Sequence, residues 1–129
     1  MTNLVLHLED DYNVRASFKL AFTHFSNYDL KQFECPSEVP DELYKKTMVI
    51  ISDFNMYDET ALDMLKYLQK QKLKVPIIMY SGNDQSYDYI KELGLNKNII
   101  FWADKLTPIK DILTIIKSLK TNGFTKKYF

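Results

Sequence analysis

Short apolar runs alternate along the whole chain with segments in which apolar residues recur every three or four positions. Short apolar runs are typical of buried strands, and the spaced segments are typical of amphipathic helices. We predict five strands, each followed by a helix, over residues 4–8, 29–34, 48–52, 76–80 and 99–102. This regular alternation predicts an α/β fold, with a doubly wound, five-stranded parallel sheet covered by helices on both faces.

The composition is that of an ordinary globular protein. Lysine plus arginine equal aspartate plus glutamate at 17 each, so the net charge gives no reason to expect nucleic acid or a membrane as a direct partner. The single cysteine, Cys35, excludes an intrachain disulfide, and neither a signal peptide nor an apolar run of transmembrane length is present in the sequence. We therefore expect a cytoplasmic protein with one domain at residues 1–122 and a C-terminal tail at 123–129.

Polar side chains follow four of the five predicted strands. Glu9 and Asp10 follow the first strand, and Asp53 follows the third. Ser81 follows the fourth strand, and Lys105 comes shortly after the fifth. In doubly wound parallel sheets, ligands bind beyond the carboxyl ends of the strands. We therefore expect these five side chains to meet at one edge of the sheet.

The three carboxylates of this group predict a metal site. Carboxylates that lie close together repel one another unless a cation neutralises them, and Mg²⁺, or Mn²⁺ in its place, prefers such oxygen ligands. A carboxylate beside the metal ion can also act as a nucleophile and form an aspartyl-phosphate. A lysine and a serine hydroxyl nearby would stabilise the phosphoryl oxygens, which is most of what phosphoryl transfer requires of a protein.

The motifs around these residues resemble those of a known family. Val5–Asp11, the loop at Ile51–Met56, the segment Met79–Asn83 and Lys105 are together similar to the response-regulator receiver domains of bacterial two-component signalling. The resemblance covers nearly the whole chain, in the expected order and spacing. It implies the flavodoxin-like (βα)5 fold of the chemotaxis regulator.

The resemblance also implies a role for each site residue. Asp53 would be the phosphoacceptor, and Glu9 and Asp10 would hold the metal ion with it. The backbone carbonyl of Asn55 would be a further metal ligand, and Lys105 would pair with a phosphoryl oxygen. The Ser81 hydroxyl would move toward the phosphoryl group, and Trp102 would be an aromatic switch residue. Asn55 and Asn83 would tune the rate of hydrolysis.

A receiver domain of this kind implies particular partners. The phosphoryl group would come from a histidine kinase or a phosphotransfer protein, and the switch would control a downstream protein target or an output domain. A homodimer through the last helix and strand is one arrangement of such domains. The protein would not be an enzyme, except that it catalyses its own phosphorylation and dephosphorylation.

The sequence departs from the family pattern at three positions. Tyr57 stands where receivers usually have proline, Ala61 where they usually have glycine, and Leu106 where they usually have proline after the lysine. Alanine tolerates a positive φ poorly, so we expect the acceptor loop to follow another path. A cis bond before leucine would cost about 3 kcal/mol, so we expect a trans bond between Lys105 and Leu106.

These departures motivate one alternative function, a pseudo-receiver that binds partners regardless of phosphorylation. An aspartyl-phosphate phosphatase is disfavoured, because it needs a second aspartate as general acid where this chain has Asn55. Flavin binding is disfavoured as well, because no phosphate loop rich in serine, threonine and glycine follows the first strand.

Overall fold

The computed structural model describes residues 2–82 and 85–122. The strands within them are β1 (Leu4–Leu8), β2 (Asp29–Phe33), β3 (Thr47–Ser52), β4 (Asn55–Met56), β5 (Glu59–Thr60), β6 (Ile77–Tyr80) and β7 (Ile99–Ala103). The α-helices are α1 (Tyr12–Phe25), α2 (Asp41–Lys45), α3 (Leu62–Lys70), α4 (Gln85–Glu92) and α5 (Ile109–Asn122). The assignment of residues 123–129 to a tail stays a prediction, because they lie outside the described residues.

The five longer strands form one parallel sheet in the order β2-β1-β3-β6-β7. The prediction of a doubly wound, five-stranded α/β fold is therefore confirmed. The strand order reverses direction at β1, so β1 and β3 are neighbours although β2 lies between them in the chain. This reversal is the place where an open parallel sheet leaves a crevice at its carboxyl edge.

The hydrophobic core consists of two layers, one on each face of the sheet. Successive side chains of a strand point to opposite faces, so Leu6 and Leu8 of β1 enter one layer while Val5 enters the other. The first layer lies under α2, α3 and α4. The second lies under α1 and α5, where Phe18 and Ile112 are fully buried. Burial on both faces explains why the strands are nearly continuous apolar runs.

The segment after β3 differs from the sequence-based expectation in its detail. β4 and β5 pair as a small antiparallel hairpin, with Tyr57 and Asp58 at its turn. Ala61 has a φ of −66°, whereas Tyr57 has a φ of 52° and so occupies the left-handed region. The loop therefore has no positive φ at Ala61, and the residue in the left-handed region is Tyr57 at the hairpin turn.

Helix α1 begins where the sequence places an acidic cluster. The Asp11 side chain accepts a hydrogen bond of 2.8 Å from the Asn13 backbone, so it caps the helix amino terminus. The helix therefore begins immediately after Glu9 and Asp10, which follow the end of β1. Among the helices that the structure describes, none has the length and hydropathy needed to cross a bilayer.

Candidate metal centre

The register of the sheet brings the ends of β1 and β3 together. Leu8 is paired with Ser52, and the Asp53 backbone N–H donates to the Leu8 carbonyl at 3.0 Å. The residues that follow these two strands, Glu9, Asp10 and Asp53, therefore leave the sheet side by side. Because β1 and β3 are paired in parallel, these three carboxylates lie close together, as the sequence predicts.

Glu9, Asp10 and Asp53 form a compact acidic cluster. Each offers a carboxylate oxygen, and these three oxygens lie within 4.8 Å of one another. Glu9 is buried, and the other two are half-buried. Three carboxylate oxygens at this separation suit a hard divalent cation such as Mg²⁺, which binds through a few carboxylates and keeps several water ligands.

Lys105 extends from the loop between β7 and α5 into this cluster. Its Nζ lies 3.1 Å from Asp53 Oδ2 and also forms an ion pair with Glu9. Burial alone would lower the pKa of Lys105, but the hydrogen bond to Glu9 and the charge of Asp53 outweigh that effect and raise it. The ammonium therefore stays protonated beside the acidic cluster.

The buried carboxyl of Glu9 ionises less easily than an exposed glutamate does. Burial raises the pKa of Glu9 to about 7; the hydrogen bond from Lys105 acts in the opposite direction, and the nearby charge of Asp53 raises the pKa further. Such a carboxyl gains its negative charge at neutral pH most readily when a cation lies next to it. The electrostatics of the cluster therefore favour a bound cation.

Backbone N–H groups fix the orientation of the carboxylates. The Phe54 N–H donates to Asp53 Oδ1 at 2.7 Å, which leaves Oδ2 facing the lysine. The Tyr57 N–H donates to Asp10 Oδ2 at 3.2 Å. The side chain of Arg15 donates to the Glu9 carbonyl at 2.7 Å. The Asp11 N–H donates to Glu9 Oε2 at 3.2 Å. The three backbone donors thus hold the acidic side chains in place, and Arg15 holds the Glu9 main chain.

Ser81 directly follows β6, Trp102 lies on the neighbouring strand β7, and the two residues contact each other. Ser81 is buried at the end of β6, and its backbone N–H donates to the Ala103 carbonyl at 2.9 Å. Trp102 Nε1 donates to the Ser81 carbonyl at 3.3 Å, and its ring packs edge-on against Tyr87. Two residues that the sequence analysis assigned to the switch, Trp102 and Ser81, are thus joined by a hydrogen bond.

The two asparagines differ in what the structure says of them. Asn55 begins β4 two residues after Asp53 and has an exposed side chain. Its carbonyl as a metal ligand, and its effect on hydrolysis, stay predictions. Asn83 lies outside the described residues, so its predicted effect on hydrolysis stays a prediction as well. The bond between Lys105 and Leu106 is trans, as expected.

Sequence reasoning missed the backbone contribution of Tyr57. A proline at this position has no N–H and could not donate to Asp10. The sequence shows that Tyr57 replaces the usual proline, and from this replacement the extra backbone donor could have been inferred. The direction of that donor depends on the hairpin, which the sequence did not predict.

A surface cavity of about 250 Å³ lies far from this cluster. It is lined by Leu65, Leu68 and Leu73, and by Lys72 and Lys97 among other residues. These residues belong to α3 and to the segments that precede β6 and β7, at the amino edge of the sheet. The acidic cluster lies at the opposite, carboxyl edge, so the cavity plays no part in its chemistry.

Comparisons with known proteins agree with this arrangement. The family model of the response regulator receiver domain matches residues 5–101. A CheY-like receiver domain protein from Methanospirillum hungatei has a TM-score of 0.76 at 16% identity, over 95% of this chain and 97% of its own. A response regulator receiver protein from Pseudomonas putida has a TM-score of 0.74 at 20% identity, over 92% and 98% of the two chains.

A third solved structure is the beryllofluoride-activated NtrC4 receiver domain dimer. It has a TM-score of 0.74 at 16% identity, over 91% of this chain and 95% of its own. A search of curated proteins found no sequence match. The family match covers most of the chain, so the protein belongs to the response regulator receiver domain family, a family of signalling regulators rather than classical enzymes.

Proposed function

We propose that this receiver domain accepts a phosphoryl group on Asp53 in a Mg²⁺-dependent reaction and changes conformation in response. The observation that carries the proposal is the position of Lys105, whose Nζ lies 3.1 Å from Asp53 Oδ2 within a cluster that includes Glu9 and Asp10. Two kinds of group therefore surround the nucleophile Asp53. The carboxylates could hold a cation, and the ammonium could pair with a phosphoryl oxygen. Phosphoryl transfer depends mainly on such positioning and charge neutralisation.

The chemistry follows from the orientation of the Asp53 carboxylate. Oδ1 is held by the Phe54 N–H, so Oδ2, the oxygen that faces Lys105, is the one that would attack phosphorus. In transfer from a phosphohistidine, the new bond joins Oδ2 to phosphorus while the bond from phosphorus to nitrogen breaks. The leaving imidazole takes a proton from solvent. Lys105 then pairs with the phosphoryl oxygens. Glu9, Asp10, Asp53 and the Asn55 carbonyl would hold Mg²⁺, or Mn²⁺ in its place. The bound cation would neutralise the charge of the phosphoryl oxygens.

The conformational response would begin at Ser81. Its hydroxyl would move toward a phosphoryl oxygen on Asp53, and its carbonyl would move with it. Because Trp102 Nε1 donates to that carbonyl, the indole would change its contacts with Tyr87 in the same step. The surface formed by β6, β7 and α5 would have two conformations, and phosphorylation of Asp53 would shift the equilibrium between them.

That surface suggests how the protein would engage its partners. A histidine kinase or a phosphotransfer protein would reach Asp53 at the carboxyl edge of the sheet, and a target or an output domain would read the state of β7 and α5. A homodimer through β7 and α5 belongs to the same proposal; the structural neighbour NtrC4 is described as an activated receiver domain dimer. The pseudo-receiver alternative is not favoured, because the departures at Tyr57 and Leu106 leave the contact between Lys105 and Asp53 intact.

Intact-mass spectrometry tests the acceptor directly. Incubation with a small phosphodonor and Mg²⁺ should add one phosphoryl mass to the wild-type protein and none to Asp53→Ala. Asp58→Ala is the matched control, because Asp58 is an exposed aspartate on the neighbouring hairpin turn, and it should be modified like the wild type. An unmodified wild type, or equal modification of Asp53→Ala, would rule the proposal out.

A further inference from the structure

Lys105 lies on a loop that has little apolar support of its own. The next residue, Leu106, is 90% exposed and packs against almost nothing. Asp104 organises the amide side of the loop, since its Oδ1 accepts from the Leu106 N–H at 2.8 Å and from the Thr107 hydroxyl at 3.3 Å. These contacts leave the carbonyl side of the loop to be held by another group.

Tyr80 holds the carbonyl side of this loop and contacts Lys105 at both ends. Its hydroxyl lies 3.0 Å from the Lys105 carbonyl and 3.2 Å from the Thr107 carbonyl. The ammonium of Lys105 lies 5.2 Å from the centre of the Tyr80 ring, within the range of a cation–π contact. One side chain therefore touches both the backbone and the charged end of Lys105.

Tyr80 is itself held firmly in the sheet. It ends β6, is paired with Ala103 of β7, and is 6% exposed. The ring packs edge-on against Phe18 of α1 at 5.1 Å. Burial raises the pKa of its phenol, so the hydroxyl remains protonated and able to donate at neutral pH. A rigid strand residue thus extends a hydrogen-bond donor to a loop that carries a site residue.

We propose that Tyr80 is a positioning residue: its hydroxyl fixes the loop after β7 so that the Lys105 ammonium lies against Asp53. The proposal rests on the proposed function in so far as Lys105 serves phosphoryl transfer. Core packing alone does not account for Tyr80, because phenylalanine would fill the same space and would leave both loop carbonyls without this donor. The hydroxyl is the part of the side chain that reaches the loop.

Hydrogen exchange tests the structural half of the proposal without any phosphorylation. Tyr80→Phe keeps the ring and removes the hydroxyl, so the amides of residues 104–107 should exchange about fivefold faster, the factor expected for one neutral hydrogen bond. The amides of the hairpin at 55–60 should be unchanged. Tyr44→Phe is the control, because Tyr44 is an equally buried tyrosine in the core layer on the other face. Exchange in Tyr80→Phe equal to that of wild type and control would overturn the proposal.

Phosphorylation kinetics test the functional half. At saturating Mg²⁺ and phosphodonor, Tyr80→Phe should be phosphorylated about fivefold more slowly than the wild type, since the loop that carries Lys105 has lost about one hydrogen bond. Its affinity for Mg²⁺ should be unchanged, because the carboxylates are held by other donors. An unchanged phosphorylation rate, or a loss of rate and Mg²⁺ affinity together, would contradict a positioning role. A wild type that takes no phosphoryl group would instead refute the proposed function, and hydrogen exchange would still decide whether Tyr80 holds the loop.

Discussion

Glu9 illustrates how a single buried carboxyl couples metal binding to pH. It lies at the end of β1 beneath Asp53 and Lys105, and burial raises its pKa to about 7. A group whose pKa is higher in the folded protein than in the unfolded chain binds a proton preferentially in the folded state. In the absence of a cation, stability should therefore fall as the pH rises from about 4.5 to about 7.

We predict that the Mg²⁺ affinity of the wild type depends on pH through Glu9. Below about pH 7 the cation must displace a proton from Glu9, so the affinity should fall by up to about tenfold per pH unit. Above that pH it should level off. Titration of Trp102 fluorescence with Mg²⁺ at a series of pH values measures this dependence. In Glu9→Gln, binding should be weaker and lose most of its slope between pH 6 and 7; a slope equal to that of the wild type would contradict the role of Glu9.

His7 gives an acid-sensitive contribution of the opposite sign. It is buried within β1, and the centre of its ring lies 4.2 Å from that of the Phe18 ring. Its Nδ1 accepts a hydrogen bond from the Gln32 amide nitrogen at 3.1 Å. Burial lowers the pKa of His7 to about 3, and the charges of Lys105 and Arg15 contribute to the same shift. The unfolded chain therefore takes up a proton near pH 6.5 that the folded protein excludes.

We predict that His7 makes stability fall as the pH drops below about 6.5. The contribution approaches about 1.4 kcal/mol per pH unit and continues toward pH 3. Urea denaturation from pH 7 to pH 4 would measure it, with the comparison made between slopes rather than absolute stabilities. His7→Gln should lose this acid-dependent slope. His24→Gln, at an exposed histidine in the last turn of α1, should retain it, and equal slopes in the two variants would contradict the prediction.

At the scale of elements, the hairpin of β4 and β5 orients a ligand of the candidate metal centre. Met56 is fully buried and anchors the hairpin in the core, while Tyr57 takes the left-handed conformation at its turn. That conformation costs a residue with a side chain roughly 1 kcal/mol, and in return the Tyr57 N–H points at Asp10. Local strain of this kind often accompanies functional sites.

We predict that Tyr57→Pro weakens both folding and Mg²⁺ binding. Proline cannot adopt a φ of 52° and has no N–H to donate to Asp10, so the free energy of unfolding should fall by at least about 1 kcal/mol. Tyr57→Gly is the matched control, because glycine adopts this φ without strain and keeps the N–H. Mg²⁺ titration should show weaker binding in Tyr57→Pro and wild-type binding in Tyr57→Gly. Equal affinities in both variants would show that the N–H does not orient Asp10.

The elements also show where sequence reasoning succeeds and where it stops. The strand after Lys46 was predicted at 48–52 and is observed at Thr47–Ser52, because a buried parallel strand leaves a clear apolar run. The hairpin was not predicted, since strands of two residues are too short to leave a periodic pattern. The contact of Tyr80 with the Lys105 loop was also missed, because the partner of a buried hydroxyl depends on the path of a distant loop.

At the scale of the whole molecule, the strand order explains why the candidate site could be predicted in outline. Parallel strands end at the same edge, and the reversal at β1 places the ends of β1 and β3 together. Carboxylates from positions far apart in the chain therefore converge as soon as the fold class is known. The contact between Glu9 and Lys105 joins residues 96 positions apart, so it exists only when the complete sheet has formed.

The central claim is that Asp53, the neighbouring carboxylates and Lys105 act together as one Mg²⁺-dependent site for a phosphoryl group. Fluorine NMR with beryllofluoride, a phosphoryl mimic, tests this most directly. The account predicts bound fluoride signals in the wild type only when Mg²⁺ is present, and none in Asp53→Asn. Asp11→Asn should give the same signals as the wild type, because it changes the side chain that caps α1 and keeps the backbone N–H that contacts Glu9. Bound signals that persist without Mg²⁺ or in Asp53→Asn, or their absence from the wild type, would contradict it.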